Sequence, residues 1–260
     1  MTHPRITISL TSISGRLPSL AATLGSLLGQ DYPDFLIRLY LSHEPFLLDE
    51  GVRVPPPDLE ALATADDRIE IRFVPNIGPY RKILPFLAET AGRRCLVATA
   101  DDDTIYPADW LSGLYRAFRE HRCVVCYRGH FMRREGTRFA QYRNWMRNAV
   151  PRNPDLFNLP TGKDGVLYDT AQFHPDVLDH ATALRLAPTA DDLWLKWHYS
   201  ATGKIATYII NDDYRTLTFE HADADGGLYR NFNKDGGNDA TILNLERHFK
   251  TSFGGTFASQ

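Results

Sequence analysis

Three consecutive carboxylates end an apolar run in the stretch Cys95-Leu96-Val97-Ala98-Thr99-Ala100-Asp101-Asp102-Asp103. Adjacent negative charges repel, and solubility alone does not require them where a buried-type strand stops. A bound divalent cation removes that cost, and hard carboxylate oxygens suit Mn2+ or Mg2+. Open α/β sheets take their ligands at the carboxyl ends of strands, so these aspartates are candidate metal and phosphate-side residues.

A second acid pair, Asp191-Asp192, opens an amphipathic segment carrying Leu193, Trp194 and Trp197. The positive end of a helix dipole favours ionised carboxylates there. An ionised aspartate can take the proton from a hydroxyl as that hydroxyl attacks. Capping uses only one acid and falls more readily on Asp191, so the pair keeps a carboxylate available as a base. Thr11, Ser12 and Arg16 follow the first apolar run; two hydroxyls and a guanidinium suit a ribose and a diphosphate, and equally suit a polar strand-to-helix turn.

The elements that would position these groups alternate in period. Strands are expected at Ile6–Leu10, Leu36–Leu41, Ile69–Val74 and Cys95–Thr99, with helices between them: the pattern of βαβ units and a mostly parallel sheet. Leu17, Leu20, Leu24, Leu27 and Leu28 recur at helical spacing after Pro18. A second helix is expected from near Pro79 through Ile83, Leu84 and Leu87, and a third from Asp109 to Phe118. The run Val54-Pro55-Pro56-Pro57 reads as a surface connection. Beyond residue 122 come a strand at Val124–Tyr127, an arginine-rich stretch from Arg133 to Arg152, a Gly-containing loop at Thr161–Gly165, a helix from Asp191 to about Ser200, a strand at Ile205–Ile210 and a loop-rich tail with Gly226-Gly227 and Gly236-Gly237. The whole reads as one domain over 1–260, with halves 1–121 and 122–260.

The 260 residues are 43% hydrophobic and 12% aromatic, enough for a sizeable core. A net charge of −3 gives no support for nucleic acid as a partner. The start reads as a strand rather than a signal peptide, and no apolar run approaches the roughly 20 residues of a membrane span, so a cytoplasmic protein with at most peripheral membrane contact is expected. Three cysteines, Cys95, Cys123 and Cys126, are too few for a disulfide framework; Cys123 and Cys126 lack a second pair for zinc and read as small apolar strand residues.

Asp101-x-Asp103 at the end of a fourth strand resembles the metal-binding motif of GT-A glycosyltransferases. Thr99–Pro107 and Ala187–Lys196 are similar to segments of bacterial capsule and lipopolysaccharide transferases related to the family-two-like group, and Leu10–Arg16 and Gly236–Asp239 extend the likeness over nearly the whole chain. The resemblance implies a GT-A α/β fold with a C-terminal acceptor region, a nucleotide-sugar donor (a UDP-sugar), an oligosaccharide or glycolipid acceptor, and inversion. It implies that Asp103 ligates the metal, that Asp101 contacts the ribose and helps hold the cation, and that Asp102 lies on the donor side. It further implies that Asp192 is the base, with Asp191 the fallback, and that Thr11, Ser12 and Arg16 face the nucleotide.

Gly78–Lys82 also resembles a donor-side segment, in which Tyr80 would stack on the base and Lys82 neutralise phosphate; cations sit poorly at a helix start, which supports an anionic ligand there. Asn76 stands where similar sequences carry an acid, and Lys163 and Asp164 depart from a glycine-rich, apolar loop. The third metal ligand implied is a C-terminal His221, with Asp239 as its rival. Trp145 and Arg133, Arg134, Arg138, Arg143, Arg147 and Arg152 are candidates for contact with an anionic acceptor, or a solvated face. Alternatives are an aspartate-nucleophile phosphatase, against which the late position of the motif and Ile105 speak; a sugar nucleotidyltransferase, which needs a glycine-rich loop where only Gly15 stands; and a non-catalytic carbohydrate-binding module.

Overall fold

The computed structural model describes residues 3–136, 138–146, 149–212, 219–221 and 229–250. A seven-stranded sheet forms the centre: β1 (Ile6–Thr11), β2 (Phe35–Leu41), β3 (Ile69–Phe73), β4 (Leu96–Thr99), β5 (Val124–Cys126), β6 (Val166–Asp169) and β7 (Thr207–Ile209), in the order β7-β5-β6-β4-β1-β2-β3. β6 runs antiparallel to β4 and β5; every other neighbouring pair is parallel. The sheet is therefore mostly parallel and flanked by helices, the α/β class expected.

β1 is central because Ile6, Ile8 and Leu10 alternate with Thr7 and Ser9 and every one of them is buried; a strand covered on both faces must lie inside the sheet. The isoleucines and Leu10 pack with α1 (Leu17–Leu28) and α4 (Trp110–His121), which present Leu20, Leu24, Leu27 and Trp110, Leu114, Phe118 at helical spacing. The other face packs against α3 (Leu84–Glu89), α5 (His180–Leu186), α6 (Asp191–Lys196) and α7 (Gly237–Phe249), where Trp194, Trp197, Ile242 and Leu245 are buried. Three layers result, with two apolar clusters separated by the sheet. Among the described residues no helix is long and apolar enough to cross a membrane.

Several expectations are corrected. Pro57 opens a helix, α2 (Pro57–Ala65), because proline fits the first helical turn, where its missing N–H is not needed. The helix expected from Pro79 is split: a 3-10 helix at Gly78–Lys82 precedes α3, and Pro85 marks the restart because it cannot donate to an uninterrupted ladder. Val166–Asp169, following the expected Thr161–Gly165 loop, forms β6. The tail expected to be loop-rich contains α7, which starts at Gly237 and buries Ile242 and Leu245. The helix from Asp191 continues past Lys196 as a π-type turn at Trp197–Ala201. Cys123 and Cys126 are free and buried, and Gly226-Gly227 lies outside the described residues.

Candidate active site

The acidic cluster follows the carboxyl end of β4, beside the carboxyl end of β1. Its three carboxylates diverge. Asp102 turns inward: Ser12 Oγ donates to its Oδ2 at 2.7 Å and Arg16 Nη1 to its Oδ1 at 2.8 Å, while Thr23 Oγ1 donates to its carbonyl at 3.1 Å. Asp101 and Asp103 are the more accessible, each side chain 19% exposed against 8% for Asp102. Asp103 lies 3.3 Å from Arg16 Nη1. Asp101 receives Lys82 Nζ at 2.6 Å, and its own N–H donates to the Tyr106 hydroxyl oxygen at 2.7 Å. Burial works against the charge of Arg16, but Asp102 and Asp103 outweigh it and leave the guanidinium pKa raised.

Asp102 thus braces the loop after β4 against Ser12 and Arg16. Ser12 gives its hydroxyl to Asp102, and Thr11 Oγ1 donates to the Tyr40 carbonyl at 2.7 Å, so both hydroxyls serve the loop itself. Tyr80 is corrected as well: it is fully buried and its hydroxyl donates to the Ala187 carbonyl at 2.5 Å, leaving no face for a base to stack on. Trp145, proposed for acceptor contact, is buried against Phe139 and Tyr142. Arg133, Arg134, Arg138, Arg143 and Arg152 are exposed, and Arg147 lies outside the described residues.

The second acid pair arrives from the far side. α6 begins at Asp191, and the cap position belongs to Ala190 without a side-chain cap, so Asp191 is not the N-cap. Lys82 joins the two motifs. Burial disfavours its ammonium, yet Asp101, Asp191 and Asp192 together hold its pKa raised. Asp192 is surrounded by protein while still reached by solvent; burial, followed by the neighbouring Asp191 charge, pushes its pKa up to about 8, against the pull of Lys82 and the Gly162 N–H. The Gly162 N–H donates to Asp192 Oδ2 at 2.9 Å. Because β6 is antiparallel, its first residue Val166 pairs with Thr99 at the end of β4, and this register delivers the Thr161–Gly165 turn to the cleft.

Two residues not singled out from sequence brace the loops beyond the carboxyl ends of β1 and β2. Asp49 is 3% exposed and accepts from the Ser14 and Gly51 amides, from Asn76 Nδ2 and, at 2.8 Å, from Arg81 Nη2. Arg81 also donates to the Ser12 carbonyl at 3.1 Å, and its buried Nε and Nη1 have no partner among the described residues. Neither residue belongs to a short spacing motif; only the fold brings residues 12, 49, 76 and 81 together. Asn76, found in place of an acid, ties its loop to Asp49 and to the Glu44 carbonyl.

Five carboxylates, Asp101, Asp102, Asp103, Asp191 and Asp192, face two cations, Arg16 and Lys82. That surplus of negative charge and the hard oxygens of Asp101 and Asp103 fit a divalent cation. Among the described residues no three His, Cys, Asp or Glu groups converge as a metal cage. An Mg2+-type ion needs none, being held by one or two carboxylates together with phosphate oxygens and water. The backbone of His221 pairs with Thr104 in the short ladder of Thr104–Ile105 with Glu220–His221, one residue from Asp103. Asp239 instead accepts the Tyr142 N–H at 2.7 Å, on the α7 side.

Sheet order, reversed β6 and a carboxylate loop after β4 define a GT-A-type α/β fold. Solved structures sharing it include the mannosyltransferase PcManGT from Pyrobaculum calidifontis in complex with GDP-Man and Mn2+, at 15% identity over 88% of this chain and 60% of that one, with a TM-score of 0.53. S. aureus TarS 1-349 in complex with UDP-GlcNAc shares it at 14% identity over 95% of this chain and 73% of that one, also at 0.53. This chain therefore spans less than two thirds of the mannosyltransferase. No family model matches the chain, and no curated protein matches its sequence.

Proposed function

We propose that this chain is a metal-dependent glycosyltransferase that moves a sugar from a UDP-sugar to a bacterial surface-glycan acceptor with inversion at the anomeric carbon. One observation carries the reading: Lys82 Nζ pairs with Asp101 at 2.6 Å and also stands beside Gly162, whose N–H donates to Asp192, about ninety residues later in the chain than Asp101. A phosphate-side carboxylate and a carboxylate base thereby share one cleft. The shared fold supports the reading, since PcManGT and TarS are bound to nucleotide sugars in those structures.

In this reading Asp103 and Asp101 hold Mn2+ or Mg2+, with His221 as a third ligand, a role that its backbone pairing with Thr104 supports. The cation, when bound, supplies Lewis-acid stabilisation of the departing diphosphate. Arg16 and Lys82 place positive charge beside the same oxygens, and Arg81, paired with Asp49, braces the Ser12 loop behind them. Asp192 accepts the proton of the acceptor hydroxyl as that oxygen attacks, and a base whose pKa lies near neutrality matches that task. Residues 1–121 hold the donor and 122–260 present the acceptor, a cytoplasmic arrangement with peripheral contact at the inner membrane face.

The test is a donor screen by nucleotide release, with Mn2+ or with EDTA, repeated on Asp103→Ala and Asp192→Asn. Release from a UDP-sugar that survives chelation and both substitutions would exclude this function. Transfer onto a nucleoside triphosphate, or hydrolysis of an aryl phosphate, would redirect it to a nucleotidyltransferase or a phosphatase.

A further inference from the structure

The Thr161–Gly165 turn is anchored at several points. The Thr161 N–H donates to the Arg128 carbonyl at 3.1 Å, and the Gly165 N–H to the Gly162 carbonyl at 3.2 Å. Asp164 is 3% exposed and takes a φ of 69°, in the left-handed region that costs a non-glycine residue about 1 kcal/mol. Its Oδ2 lies 2.7 Å from Arg128 Nε, and its carbonyl accepts from Trp110 Nε1 at 2.8 Å. Such a conformation persists only where the surroundings over-determine it. Gly162, held by this frame, gives its N–H to Asp192 at 2.9 Å. A Cβ built there would stand 3.0 Å from Asp192 Oδ1 and 3.4 Å from Lys82 Nζ.

We propose that Asp164 and Arg128 are positioning residues: by pinning the turn they hold the Gly162 amide against Asp192 and fix where its carboxylate stands relative to Lys82. The catalytic meaning of this arrangement rests on the reading of Asp192 as the base; the mechanical claim does not. Lys163 is exposed and plays no part in the pin, whereas Asp164, which departs from a glycine-rich loop, replaces flexibility with an ion pair. The charged groups facing Asp192 are Asp191 on its own helix, Lys82 from the 3-10 helix and Asp101 from the loop after β4. The Gly162 amide is the backbone donor favouring its ionised form.

The test reads the carboxylate directly. In protein labelled with 13C at aspartate carboxyls, Asp192→Asn identifies the Asp192 resonance, and its titration midpoint is followed by NMR in the wild type, Asp164→Asn and Gly162→Ala. Coulomb's law and the pin give opposite signs for Asp164→Asn. Removing a negative charge lowers a neighbouring carboxylate's pKa, whereas loss of the Gly162 hydrogen bond raises it.

The pin predicts a rise of about one unit in Asp164→Asn and in Gly162→Ala, where the added Cβ pushes the carboxylate off the amide. Midpoints unchanged or lowered in the folded variants overturn the proposal, and Gly162→Ala, whose backbone conformation an alanine tolerates, decides it should Asp164→Asn fail to fold. Turnover of a UDP-sugar separates the two claims. Full activity in Asp192→Asn refutes the base while leaving the titration result to judge the pin.

Discussion

At the scale of single residues, burial has set Asp192 apart from an ordinary surface aspartate. With its pKa at about 8, its proton is lost as pH rises through that value. The base form therefore accumulates upward, and kcat/KM is expected to climb to a plateau above about pH 8. In Asp192→Asn the limb should vanish and turnover fall by at least about 100-fold. Stability moves the other way. A carboxylate whose folded pKa exceeds its unfolded value contributes stability below about pH 4 that is lost as pH rises through the folded pKa. Asp192→Asn should thus unfold at a higher temperature than the wild type at pH 8 and show little difference at pH 4, as calorimetry at the two pH values would reveal. Asp102 and Asp103 should separate just as cleanly. Asp102→Ala strands Ser12 and Arg16 and is expected to cost about 3 kcal/mol in urea unfolding. Asp103→Asn should leave the unfolding midpoint nearly in place while removing the metal dependence of turnover.

At the scale of elements, what was legible in the chain followed from local pattern. β-branched runs and leucines at helical spacing gave β1 to β4, α1 and α4, residue type at strand and helix ends pointed to Asp101, Asp103 and the Asp191–Asp192 pair, and the family resemblance added Lys82 and the choice of Asp192. What local pattern did not reveal depends on partners distant in sequence. Asp102 braces its loop because Ser12, ninety positions earlier, and Arg16 meet it. Tyr80 is buried in the apolar cluster with Ile83 and Leu84, where its hydroxyl finds the Ala187 carbonyl. Val166–Asp169 is too short for its own periodicity to speak, and its antiparallel register with β4 is a property of the sheet. One glycine beside it tests that register. Gly165 has a φ of 98°, and a Cβ there would come within 2.5 Å of the Trp110 ring. Gly165→Ala therefore combines backbone strain with overpacking, and a loss of about 3 kcal/mol or more in chemical denaturation is expected.

At the scale of the whole molecule, three stretches separated in the chain form one charge-bearing cleft: the β1–α1 loop, the segment from Gly78 to Asp103, and the turn and helix that carry Gly162 and Asp192. In the proposed reading neither half of the donor complex is held well alone. Manganese finds two carboxylates and too few further ligands, whereas a bare diphosphate meets Arg16 and Lys82 but also the surplus aspartates. Together they neutralise each other and complete the coordination. Thermal unfolding should therefore respond cooperatively: UDP or Mn2+ alone should move the midpoint little, and the pair should raise it by several degrees, because a ligand at 100 times its Kd adds about 2.7 kcal/mol to the folded state. The increment should disappear in Asp103→Asn and persist in Asp192→Asn, since the first removes a metal ligand and the second only the proton acceptor. Equal stabilisation by UDP with and without manganese would mean that the aspartates after β4 serve the sheet rather than a cation.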